Sequence, residues 1–180
     1  MSSRSYIDSH QYLHAHNTKI GIVLYRQDHP SSPLWALAFH HDSYNADEVC
    51  IRGIYARHKG AEWRLRDSEI ENYPIRDDER VLGVIHVVDL PWSPKELDRY
   101  LRRFGPKKND DDPSKGALWS HSSWVIRALA YLEYEDYCKF PCLAQYFLPF
   151  VREERIPVLR DIKRKNGKVV VIKLDPPQLK

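Results

Sequence analysis

Cysteine is scarce in this chain: Cys50, Cys138 and Cys142 are all that its 180 residues contain. Three thiols make no disulfide framework, so a reducing compartment is expected and the cytoplasm is the natural assignment. Cys138 and Cys142 stand four apart across Pro141, but no second Cys/His pair follows at zinc-finger spacing. Neither a structural metal nor a cofactor is expected. Long apolar runs are missing too. No stretch approaches a membrane span, and the opening residues, Met-Ser-Ser-Arg-Ser-Tyr-Ile-Asp-Ser-His, lack the apolar centre of a secretory signal.

A strong charge of either sign is also absent. Formal net charge is +3, too small an excess to argue for nucleic acid as a partner. Basic residues do gather at Arg99, Arg102, Arg103, Lys107 and Lys108, and again at Lys163, Arg164, Lys165 and Lys168. Few aromatics interleave with them for base stacking, so they read as a solvated helix face and a turn. No internal repeat is visible.

What is present is ordinary for a folded protein: 42% hydrophobic and 29% charged residues, enough to bury a real core. Residues 1–18 read as a flexible polar arm and residues 19–175 as one α+β domain. The arm carries His10, His14 and His16. Two rings on one side of a strand can chelate a metal, but an unstructured leader is the simpler reading.

Ile20-Gly-Ile-Val-Leu-Tyr25 is a continuous β-rich run, the mark of a buried strand, and Trp35-Ala-Leu-Ala-Phe39 is a second. Residues 49–55 and 62–66 alternate as a hairpin with one face covered. Residues 67–79 are charged and read as a connection, and residues 81–88 are the strongest strand signal. Ser93-Pro94-Lys95-Glu96 sets an N-cap, Pro at N1 and Glu at N3. Leu97, Tyr100, Leu101 and Phe104 then recur at helical spacing until Gly105-Pro106. Residues 107–115 read as an exposed loop, and residues 143–150 as a short apolar segment broken at Pro149. A basic turn leads to a last strand over residues 169–174.

The most informative stretch is Ala117-Leu-Trp-Ser-His-Ser-Ser-Trp-Val-Ile-Arg-Ala-Leu-Ala-Tyr-Leu132, where Ser and His residues open an almost wholly apolar helix. A surface helix shows one polar face. This one is expected to be buried on most sides, its polar side chains collected at the electropositive N-terminus. That setting suits an anion or an activated nucleophile, yet it holds no cysteine.

In order, a strand meander, a lone helix and a buried helix with a polar start resemble the circularly permuted branch of the papain-like fold. That branch includes lecithin:retinol acyltransferase-like proteins, relatives of NlpC-type peptidases and small fungal proteins of unknown role. The likeness rests on Leu34-Trp-Ala-Leu37, Gly60-Ala-Glu-Trp63 and Ser120-His-Ser-Ser-Trp-Val125. It implies an α+β fold in which an antiparallel sheet meander packs on a central buried helix. Where that branch carries a catalytic Cys at the helix start, this chain has His121; where it carries a catalytic His before Trp-Ala-Leu, this chain has Leu34. The resemblance therefore implies a framework without thiolate chemistry.

The remaining candidates follow from position. His121 is the candidate acid/base, since an imidazole near a positive helix end stays neutral. Against this stands a plain structural role, with Ser120 capping the helix and His121 bonded to a strand. Ser120, Ser122 and Ser123 can orient a ligand, and Trp35 and Trp119 can wall a pocket opened by the small Ala36, Ala38 and Gly83. Parity puts His40 on the face of Leu34, Ala36 and Ala38. His41 and Asp42 read as turn residues and His86 as a satisfied sheet residue.

Three functions are thereby expected. The first is non-hydrolytic binding of a small hydrophobic molecule or peptide in the cleft. The second is an isomerase, cyclase or lyase of specialised metabolism using His121. The third is a protein-protein interaction module docking through the basic helix over residues 95–104.

Overall fold

The structure is a computed structural model that describes residues 17–27, 33–55, 62–65, 71–108, 119–140 and 144–174. The arm with His10, His14 and His16, and also Cys142, lie outside the described residues. The α+β class is as expected: a six-stranded sheet carries helices against it.

Strand β1 (Thr18–Tyr25) lies at the centre because it has no polar face to leave in water. It is flanked by β2 (Leu34–His40), in register from Lys19 opposite His40 to Tyr25 opposite Leu34. Beyond β2 come β3 (Val49–Arg52) and then β6 (Glu71–Tyr73). On the other side of β1 lies β7 (Val81–Leu90), followed at the edge by β8 (Val171–Lys173).

A simple antiparallel meander was expected, and the sheet departs from it twice. β7 returns to pair with β1 rather than with its predecessor β6. β8 runs parallel to β7, with Val84, Ile85 and His86 opposite Val171, Ile172 and Lys173. A parallel neighbour requires a long crossover, and here the helices supply it. The sheet is therefore mixed.

The expected hairpin divides at Gly53. Val49–Arg52 stays in the main sheet, whereas β4 (Ile54–Tyr55) leaves it to pair with β5 (Arg64–Leu65) as a separate ribbon. β6 falls in the charged stretch that was expected to be a connection. An edge strand needs only backbone pairing, so polar side chains do not forbid it.

Helix α1 (Pro94–Leu101) starts as expected, with the Ser93 hydroxyl accepting from the Glu96 N–H and the Glu96 carboxylate returning to the Ser93 N–H. Helix α2 (His121–Tyr134) is buried continuously over residues 122–129. Helix α3 (Ala144–Phe150) is not broken at Pro149. It passes through the proline and widens into one π-type turn (Val151–Arg155) before α4 (Ile156–Asp161), whose start takes Pro157. A widened turn re-registers the helical bonds that prolines interrupt.

Two cores result. One face of the sheet sets Ile20, Ile22, Leu24, Trp35, Leu37, Phe39 and Ile85 against Leu97, Trp124, Val125, Leu129, Phe147 and Ile156 of the helices. The opposite face holds Val23, Ala36, Ala38, Val49, Ile51 and Val84, covered by Tyr44, Ile75 and Val169 from loops. Both faces of β1 and β2 are thus occupied, each fully buried large side chain contributing about 1.5–3 kcal/mol.

Candidate functional site

α2 delivers His121 to the edge of β2. The β2–β3 ladder runs only from Leu37 opposite Arg52 to Phe39 opposite Cys50, so Trp35 lies beyond its end. There the Trp35 backbone N–H donates to Nδ1 of His121 across 3.2 Å. An acceptor at Nδ1 places the proton of the neutral ring on Nε2. Burial, with the Arg152 cation adding to it, pushes the imidazole down to about 4. The Trp63 ring, from the residues just before β5, meets it nearly edge-on at 6.4 Å between centroids. At neutral pH this is an uncharged ring whose basic lone pair is already engaged.

The serines around it close on one another. Ser120 Oγ lies 2.9 Å from Ser122 Oγ and 3.3 Å from Ser123 Oγ, and both partners are fully buried. Ser120 is the N-cap, its carbonyl accepting from the Trp124 N–H, but its hydroxyl makes no cap bond. The expected hydroxyl cap is thus replaced by a hydroxyl cluster.

Further along α2, the polar atoms are spent on the turn that ends α1. Arg127, buried, donates through Nη1 to the Lys107 carbonyl at 2.9 Å and through Nη2 to the Gly105 carbonyl at 2.5 Å. Trp119 and Trp124 donate their indole N–H groups to the carbonyls of Pro106 and Phe104. Four consecutive carbonyls beyond a helix end are satisfied this way, where the macrodipole favours a cation. The Arg127 guanidinium also lies 4.5 Å over the Trp119 ring. Trp119 is therefore both a hydrogen-bond donor and a stacking platform.

Not all the sequence candidates meet. Trp35, Ser120, His121, Ser122 and Ser123 gather where β2 meets the start of α2, whereas Trp119 turns to the Pro106 carbonyl and Arg127. Ala36 and Ala38 belong to the opposite core, so they do not thin the wall facing α2. His40 is likewise apart from His121: its Nδ1 accepts the N–H groups of Asp42 and Ser43, both at 3.0 Å, so it organises the turn after β2. The physical reason is size. Trp35, Leu37 and Phe39 take the helix side, which leaves the alanines to the loop-covered side. Nor does Gly83 leave space, because a Cβ there would stand 2.7 Å from Leu159 Cδ2 and 2.8 Å from the Val170 carbonyl. Its smallness lets β8 and α4 approach.

Neither described thiol reaches the helix start. Cys50 on β3 is pushed up to about 11 by burial, with Asp98 adding to it. Cys138, beyond the end of α2, is pushed up to about 12 by burial and Glu133. Reactive thiols shift the other way.

Of two further polar clusters, the first was read from sequence only as far as His86 being a satisfied sheet residue, and the second not at all. On the loop-covered side, Tyr44 Oη lies 2.9 Å from His86 Nδ1, and His86 Nε2 lies 3.6 Å from Asp89 Oδ1. Gly21 makes room for it: a Cβ there would meet the Tyr44 hydroxyl at 2.9 Å. Burial raises the Tyr44 phenol and lowers the His86 imidazole, which favours the uncharged form of both rings. Under α1, Arg52 and Asp98 form a buried ion pair, and Asp98 also takes Arg102 at 2.8 Å. A cation inside the apolar run Val49-Cys-Ile-Arg-Gly-Ile was the available signal for it. Among the described residues, no group of three or more His, Cys, Asp or Glu side chains is arranged to hold a metal. Among the described residues, too, no helix is long and apolar enough to cross a membrane.

No protein-family model, curated protein or solved structure matches this chain.

Proposed function

We propose that this protein acts by binding rather than by catalysis, on a permuted papain-like framework whose helix start has lost its reactive group. The observation that carries the reading is the bond from the Trp35 N–H to His121 Nδ1. A general base needs a free lone pair and a pKa near the working pH; His121 has its lone pair engaged and sits near 4. The hydroxyls of Ser120, Ser122 and Ser123 beside it are hydrogen-bonded to one another. An isomerase, cyclase or lyase role for His121 is disfavoured on the same grounds.

The occupant is a small hydrophobic molecule or a peptide, taken up near Trp63 and Trp119, half-buried rings on either side of the polar helix start in sequence. The cytoplasm suits the protein, because the described cysteines Cys50 and Cys138 are not joined in a disulfide.

Untargeted capture from a metabolite extract, read by mass spectrometry, tests the reading. The same ligand should be retained unchanged by wild type and by His121→Asn, which keeps an acceptor in place. A metabolite converted by wild type and left intact by His121→Asn would overturn it in favour of catalysis.

A further inference from the structure

A second surface stands apart from the start of α2. Along the outer face of α1 runs an open groove of about 350 Å³, lined by Trp92, Glu96, Arg99, Tyr100 and Arg103. Glu96, Arg99 and Tyr100 of α1 and Arg103 in the turn after it are spaced i, i+3, i+4 and i+7, the spacing of one helical face. The floor is aromatic: Trp92 and Tyr100 stand 5.2 Å apart, with Tyr137 edge-on to Trp92 at 4.5 Å. Tyr100 belongs to the core, Trp92 is half-buried against it and Tyr137 is 44% exposed, so the cluster runs from the core out to the surface. Aromatic side chains that reach the surface beside a groove offer apolar area to a partner.

The charges around the floor are unequal. Glu96 is committed, its carboxylate accepting from the Ser93 N–H and hydroxyl, both at 2.7 Å. Arg103 is committed as well, stacking 4.9 Å over Tyr100 and pairing with Glu135 at 3.1 Å. Arg99, exposed between them, makes no hydrogen bond or ion pair with any described residue. The surrounding stretch is basic, with Lys95, Arg102, Lys107 and Lys108 on the same helix and its following turn.

We propose that this groove docks an acidic linear peptide of a partner protein, in which an aromatic or large aliphatic side chain lies next to a carboxylate. The apolar side chain stacks on Trp92 and Tyr100, and the carboxylate pairs with Arg99, whose planar fork suits it. A nucleic acid fits less well. Glu96 stands in the groove, and the groove offers no track of successive phosphate contacts. The proposal concerns α1 and not the helix start, so it stands or falls independently of the reading of His121.

The test uses the full chain and a peptide array in which single Phe residues are flanked by Asp and Glu. Control peptides replace the acids by Lys, or Phe by Ser, and a labelled single-stranded oligouridine is measured alongside. Wild type should retain the acidic Phe peptides and neither control. Arg99→Glu, an exposed change, should weaken them at least about tenfold and gain affinity for the Lys–Phe set. Trp92→Ala should weaken the acidic set, and, combined with Arg99→Glu, the Lys–Phe set. Unchanged circular dichroism would establish that each variant folds. Binding indifferent to Arg99→Glu, absence of binding to any peptide, or tighter binding of oligouridine would overturn the proposal.

Discussion

His121 Nδ1 accepts the backbone N–H of Trp35, which joins the first residue of a buried helix to the edge of a central strand. The bond lies just past the end of the β2–β3 ladder, where β3 gives way at Gly53 to the β4–β5 ribbon. In place of a third strand's carbonyl, the sheet takes an imidazole. The first residue of the helix thereby serves the fold.

Removing that acceptor should cost stability. His121→Ala leaves the Trp35 N–H unsatisfied and opens a void beside Trp63, for a loss of about 2–3 kcal/mol in urea unfolding. His121→Asn retains an acceptor and should lose about half as much. Hydrogen exchange at the Trp35 amide should accelerate in the alanine variant and remain slow in the asparagine variant. Equal exchange in all three proteins would show that the bond is not formed in solution.

The same imidazole makes a prediction about pH. Its folded pKa, about 4, lies below the unfolded value of roughly 6.5. Between those limits the unfolded chain binds the extra proton, so stability is full above pH ~6.5 and falls as pH drops toward 4. His40 and His86 are lowered as well, chiefly by burial, and act in the same direction. The slope of unfolding free energy over that window should flatten in His121→Asn. An unchanged slope would assign the pH dependence elsewhere.

Much of this arrangement was legible in the sequence because it rests on local chemistry. The capping box at Ser93 and Glu96, the apolar continuity of β1 and β7, and the encirclement of α2 all follow from nearest-neighbour patterns. What was not legible depends on partners distant in sequence. Parity correctly grouped Ala36, Ala38 and His40 on one face of β2, but a strand apolar on both sides carries no mark of which side meets the helices. β6 pairs through backbone alone and so left no apolar signature, and the parallel seat of β8 is set by the crossover rather than by its own residues. The bond to His121 was foreseen as one of two roles. Its partner, a backbone amide, has no sequence signal at all.

Arg127 should prove more important than its isolation suggests. With Trp119 and Trp124 it satisfies the carbonyls from Phe104 to Lys107, tying the end of α1 to the core helix. Arg127→Met keeps the apolar stem and deletes the fork, leaving the Gly105 and Lys107 carbonyls without it. A loss on the order of 3 kcal/mol is expected. Arg127→Lys should not restore it, because one ammonium cannot reproduce the two-carbonyl reach together with the stack on Trp119. The tryptophan emission should also shift to the red as the turn loosens. A stable Arg127→Lys variant with native emission would sink the argument.

Under α1, the Arg52–Asp98 pair tests a different balance. The two side chains are only 6% and 8% exposed, so each charge has surrendered its water and depends on the other. Burial raises the Asp98 carboxyl, but the bonds from Arg52 and Arg102 outweigh it and hold the group below its ordinary value. A depressed carboxyl contributes stability that is present above pH ~4 and lost as pH falls further. This limb lies below the histidine window and can be separated from it. Asp98→Asn leaves a buried cation without its counter-charge and should cost about 3–5 kcal/mol, whereas Arg52→Met combined with Asp98→Leu removes both charges and should cost much less. The double variant should also lose the unfolding limb below pH ~4. If the double change is as damaging as Asp98→Asn alone, the pair is contributing net attraction beyond its desolvation cost, and α1 is held to the sheet by charge rather than by Leu97 and Leu101.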